Sequence, residues 1–104
     1  MTDHGGRPEN VELERLRASI DELDSVLVKL LNQRAKYALE IGHVKSEIDA
    51  PIHSPERERE VIENVERQNR GPLSTDGLRR LYERIIDESR RLEREAKEKK
   101  GESC

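Results

Sequence analysis

The chain has 104 residues, 32% of them hydrophobic and 41% charged, with no Trp, no Phe and two Tyr; that length suits one domain, and the composition is too poor in apolar side chains for a large core of its own. Its 20 basic and 23 acidic residues nearly cancel to a net charge of −3, which excludes a general basic footprint for nucleic acid, and it has too few aromatics for bases to stack on. The one cysteine, Cys104, cannot form an intrachain disulfide and fits a reducing compartment; with no run of transmembrane length and no apolar signal core in residues 1–10, the expected location is the cytoplasm, with no membrane partner.

Residues 1–10, with Gly5, Gly6 and Pro8, are expected to form a flexible lead-in in which His4 is solvated. A helix is predicted over about 11–49. Alternating steps of three and four residues select Leu13, Leu16, Ile20, Leu23, Leu27, Leu30, Arg34, Tyr37, Ile41, Val44 and Ile48, all apolar or aromatic except Arg34. A 3.5-residue repeat kept this long marks a helix that winds against a partner along one seam. No proline falls between Val11 and Ala50, and Gly42 is the one glycine there. At about 1.5 Å per residue, the stretch from Leu13 to Ile48 would be roughly 54 Å long. The rest of the chain is too short to cover it, so the expected architecture is all-α, as a homo-oligomer with shared cores.

The column beside the seam reads Arg17, Asp24, Leu31, Ala38, Lys45. Arg17, Arg34 and Lys45 therefore lie on or at the edge of the apolar face, where a charge costs free energy unless an anion meets it. Taken singly, Arg17 and Lys45 can snorkel out of the seam and Arg34 can set register. As a set they suggest an anion site. Arg17 and Lys45 are roughly 42 Å apart along one straight helix, too far for one small ligand, whereas Arg34 and Lys45, roughly 16 Å apart, can lean together around a dianion. Antiparallel pairing would bring the partner's Arg17 to the same place, giving two equivalent sites per dimer.

Pro51 ends the first helix, and Ile52 and His53 make a short extended connection. Ser54-Pro55-Glu56 opens a second helix over about 55–70, with Ser as N-cap, Pro at the first position, and acids in the first turn. Its apolar stripe is thin, Val61, Ile62 and Val65, and Glu58 falls on that face with Arg57 beside it. Gly71-Pro72 stops it. Ser74 or Thr75 caps a third helix over about 75–97, whose inner stripe is Leu78, Leu81, Tyr82, Ile85, Ile86, Ser89, Leu92 and Ala96, with Glu93 at its edge above Ser89. Residues 98–104 read as a flexible charged tail. There is no glycine-rich phosphate loop and no zinc spacing. Cys104 lies in the tail, and His43 and His53 have no evident Ser or Cys partner, so nucleophilic catalysis is not expected and the histidines are read as surface residues.

The pattern LRxxIDxLDxxLxxLLxxR at Leu16 to Arg34, IGxxK at Ile41 to Lys45, PI and PERE between Pro51 and Glu58, and II(D/E)xS at Ile85 to Ser89 resembles the all-helical (AroQ-type) chorismate mutases, over about Glu12 to Ala96. The resemblance makes residues 11–97 a chorismate mutase domain: a three-helix chain with a very long first helix, in an intertwined homodimer. It implies the [3,3]-sigmatropic rearrangement of chorismate to prephenate in aromatic amino-acid biosynthesis, with no cofactor, no metal and no covalent intermediate. Such chemistry needs the substrate's two carboxylates clamped, and donors at the ether oxygen where negative charge grows. By position, the resemblance makes Arg17 from the partner and Arg34 carboxylate ligands and completes the polar shell with Arg57 and Ser89. Lys45 becomes the ether-oxygen donor and Glu58 the acceptor for the ring hydroxyl.

Two positions depart from the commonest pattern of that family. Ser54 stands where many members have Asp, and a backbone N–H there can still serve the hydroxyl. Glu93 stands where many have Gln as the second ether-oxygen donor. An ionised carboxylate has no proton to give, so Glu93 must be protonated to help, and apolar neighbours would favour the neutral form. Turnover is then expected to rise as pH falls from neutral towards about 5. The alternative is that Glu93 faces solvent and Ser89 alone finishes that wall. Isochorismate-pyruvate lyases and 4-amino-4-deoxychorismate mutases resemble this family in their clamp residues, and Glu58 suits a ring hydroxyl or amine alike. A reading of another class is a non-enzymatic helical dimerisation module, against which the inward Arg34, Glu58 and Ser89 argue.

Overall fold

A computed structural model of the chain describes residues 8–102, with side chains over 10–99. Every regular element among them is α-helical: α1 spans Pro8–Glu47, α2 Pro55–Gln68 and α3 Thr75–Glu102. The all-α class and three-helix order expected from the periodicity are what the chain adopts. His4 and Cys104 lie outside the described residues.

The helix ends follow from local chemistry. Asp49 takes a left-handed backbone (φ 56°) just past α1, and the Ala50 N–H donates to the Lys45 carbonyl at 2.9 Å. This is the six-to-one hydrogen bond of a Schellman cap, with Asp in the place usually held by Gly. Ser54 precedes α2 with non-helical angles, yet its hydroxyl makes no capping bond. Ser74 caps α3 by accepting the Gly77 N–H at 2.9 Å. α2 stops at Gln68, two residues before the expected end. The Asn69 side chain explains it, accepting the Gly71 N–H at 3.0 Å and donating to the Leu73 carbonyl at 2.9 Å, so the turn closes early. α3 continues past the expected 97, because Glu and Lys are good helix formers and no breaker interrupts residues 97–100.

The described residues form two compact units that divide within α1, the first ending at Arg34 and the second starting at Ala35. In the first, the seam residues Leu13, Leu16, Ile20, Leu23, Leu27 and Leu30 are all 43–63% exposed. Nothing in that unit covers them. In the second, Ala38, Gly42, Ile86 and Ala96 are buried. A Cβ on Gly42 would lie 2.5 Å from the Glu93 carbonyl oxygen and 2.8 Å from the Ala96 Cβ. Gly42 therefore lets this end of α1 and α3 touch backbone to backbone, which is a reason to keep a poor helix former in mid-helix. α2 lies against α3, with Val61, Ile62 and Val65 half-buried. Arg79 ties the two helices, its Nε donating to Glu66 Oε2 at 2.7 Å. That hydrogen bond, and then the Glu66 charge, raise the Arg79 pKa further. Leu81, expected on the inner stripe of α3, is instead 54% exposed. It is four residues before Ile85, and in this unit the burial line runs through Ile86 and Ala96.

Candidate active site

The close approach at Gly42 decides what happens one turn later. Lys45 comes off the last turn of α1 and meets Glu93 on α3, Nζ to Oε1 at 2.8 Å, and the same ammonium donates to the Ile52 carbonyl at 3.0 Å. Their side chains are only 20% and 15% exposed, so this ion pair is largely shielded from water, unlike the i,i+3 and i,i+4 pairs that line the helix surfaces. Glu93 thus points inward rather than to solvent. Its seat is not purely apolar, however, since its carboxylate is matched by a lysine.

A second cluster forms around Glu58 in the first turn of α2. Glu58 Oε2 lies 3.3 Å from Arg90 Nε and its Oε1 lies 3.8 Å from His53 Nε2. Arg90 is itself held by Asp87, to which Nη2 donates at 2.8 Å. Arg90 Nε is covered and makes no hydrogen bond among the described residues, so charge rather than bond geometry holds it beside Glu58. His53 is exposed, as expected, but it is not without company. Ser89, half-buried, immediately precedes Arg90 on α3.

Two more of the expected residues lie in the second unit, Arg57 and Ser54. Arg57 is exposed and donates to Glu60 one turn on, at 3.2 Å. Ser54 is half-buried at the N-cap and contributes its carbonyl, which accepts the Glu58 N–H at 3.0 Å. Arg17 and Arg34 belong to the first unit, where Arg17 is exposed and donates to Glu14 at 3.2 Å and Arg34 is half-buried. Two residues were not singled out from the sequence. Gly42 lies four after Ala38 and four before Ser46, a small-residue stripe that signals close helix approach. Arg90 lies four after Ile86 and three before Glu93, which places it on the inner face by spacing alone. Among the described residues no group of three His, Cys, Asp or Glu side chains converges as a metal site, and no helix is long and apolar enough to cross a membrane.

Residues 16–94 match the family model described as chorismate mutase type II. The chain belongs to that family. A crystal structure of chorismate mutase from Helicobacter pylori in complex with prephenate is similar to it, with a TM-score of 0.75 at 35% identity, covering 83% of this chain and 93% of that one. A bifunctional chorismate mutase/prephenate dehydratase of Aquifex aeolicus is 42% identical over 90 residues, 83% of this chain and 25% of that protein. A chorismate mutase of Methanocaldococcus jannaschii is 32% identical over 54 residues, 52% of this chain and 54% of that one. The chain therefore spans about a quarter of the length of the bifunctional relatives it matches. In the chorismate mutase family frame, the Lys45–Glu93 pair falls on the residues that the resemblance assigned to the ether oxygen.

Proposed function

We propose that this chain converts chorismate to prephenate, as a cofactor-independent isomerase of aromatic amino-acid biosynthesis, working in the cytoplasm as an intertwined homodimer. The observation that carries this reading is the shielded Lys45–Glu93 pair at 2.8 Å. An ammonium has three N–H donors, and here two are spent, on Glu93 and on the Ile52 carbonyl. The third is left for an oxygen that gains charge as its C–O bond breaks. A donor fixed in advance stabilises that charge without reorganising during the reaction. Lys45 donates at the ether oxygen with Glu93 holding its ammonium in place, Ser89 and Arg57 complete the polar wall, and Glu58, with Ser54 beneath it, accepts the ring hydroxyl.

The dimer supplies what the second unit lacks. Arg34 and the Arg17 of the partner subunit clamp the two carboxylates, holding the enolpyruvyl arm over the ring. The reading is supported by the exposed apolar residues in each unit, Leu13 to Leu30 of the seam in the first and Tyr37, Ile41, Val44 and Ile48, at 45–67% exposure, in the second. An apolar stripe of this extent is covered in a stable protein, and a second copy presents the matching one.

The test is the loss of chorismate absorbance with purified protein at pH 5 and pH 7.5, with Arg34→Ala alongside, and a solution mass set against the 12.1 kDa chain. Turnover that disappears in Arg34→Ala, from a particle of two chains, is the expected result. No turnover at either pH, or a monomer that turns over normally, would overturn the reading.

A further inference from the structure

We propose that Arg90 is a positioning residue that tunes Glu58 to select a ring bearing a neutral hydroxyl over one bearing a cationic amine. The proposal rests on the mutase reading and extends it to substrate choice. Left alone, a carboxylate such as Glu58 would favour an amine, because an aliphatic amine is cationic at pH 7 and a hydroxyl is not. Glu58 is not left alone. Arg90 Nε stands 3.3 Å from its Oε2, both side chains being roughly three-quarters covered (27% and 28% exposed). His53 stands 3.8 Å from the other oxygen, and becomes a second cation there only when protonated.

Arg90 cannot swing away freely, because Asp87 holds Nη2 at 2.8 Å and its Nε is covered. Glu58 is fixed from its own side, as a first-turn residue whose N–H is bonded to the Ser54 carbonyl at 3.0 Å. The carboxylate therefore offers a ligand lone pairs but little net charge. A hydroxyl needs only the lone pair. An ammonium needs the charge, finds it already matched, and meets the like charge of Arg90 behind it, in a site partly removed from water where that repulsion is only partly screened. The arginine thus acts against the wrong substrate rather than for the right one.

The experiment measures kcat/KM for chorismate and for 4-amino-4-deoxychorismate at pH 7.5 in the whole chain, as wild type, Arg90→Met, Arg90→Gln and Arg90→Lys. Wild type should favour chorismate. Arg90→Met and Arg90→Gln should each shift the ratio towards the amino substrate by on the order of tenfold, chiefly through KM, since removing one charge from a partly covered pair is a change of that size. Arg90→Lys should restore the wild-type ratio. Two charge-removing variants are included so that a fault in the folding of one, seen by circular dichroism, leaves the other to decide. If the variants lose activity on both substrates equally, with the ratio unmoved, Arg90 is merely structural and the proposal fails alone. Wild-type protein inactive on chorismate would overturn the mutase reading together with this one.

Discussion

Gly42→Ala is the most informative single change in the second unit, because two well-understood effects predict opposite signs for it. Helix propensity alone says that Ala in place of a mid-helix Gly stabilises by about 1 kcal/mol. The structure says otherwise: the new methyl would lie 2.5 Å from the Glu93 carbonyl oxygen and 2.8 Å from the Ala96 Cβ. Carbon atoms settle at roughly 3.5–4.0 Å, so about 1 Å of separation must be found. Neither obstacle is the end of a flexible side chain. The strain therefore falls at the upper end of the overpacking range, about 3 kcal/mol, and the net loss is about 2 kcal/mol. Urea unfolding at fixed protein concentration should show a lower midpoint with an unchanged slope. Moving α1 off α3 also draws Lys45 from Glu93, so chorismate turnover should fall together with stability. A midpoint raised by the propensity term would refute the close approach and the site geometry built on it.

Glu93→Gln should turn over chorismate faster than wild type at pH 7.5, by at least about tenfold, because an amide supplies the second donor that a carboxylate lacks. A Gln variant slower than wild type at pH 7.5 would sink the assignment. Asp49→Gly should raise the melting temperature by a few degrees, corresponding to about 0.5–1 kcal/mol, since Gly adopts the φ of 56° at the α1 cap without the Cβ penalty. An unchanged or lower melting temperature would count against the cap as described.

The three helices were legible because their apolar spacing and stop signals are local: the 3.5-residue stripe, Ser54-Pro55 and Gly71-Pro72 each act within a turn or two. The place of Glu58 on the apolar face of α2 was legible for the same reason, while helical phase put Lys45 and Glu93 only at the edge of their faces and left the direction of Glu93 open. The pairings were not. That Glu93 meets Lys45 across 48 positions of sequence depends on how closely two helices approach, and that distance is set by the missing side chain of Gly42. A lone glycine in a helical pattern reads as tolerated rather than as required. Arg90 was hidden in the stretch 87–95, where Ser89 and Leu92 alone are uncharged and one arginine looks like any other until its partner on α2 is in place. Leu81 shows the opposite error, an apolar residue in phase that the packing leaves exposed.

The connection between α1 and α2 is held from outside itself. Its Ala50 carbonyl accepts a bond from Lys97 Nζ at 2.7 Å and its Ile52 carbonyl one from Lys45 Nζ at 3.0 Å. In terms of hydrogen exchange and local opening, such a link does not breathe alone; it opens fully only when both the last turns of α3 and the end of α1 release it. The late turns of α3 and a loop 47 residues earlier thus form one cooperative unit. Shortening α3 to just before Lys97 would be felt first at the entrance to α2, where Glu58 is set, and only afterwards at the helix that was cut.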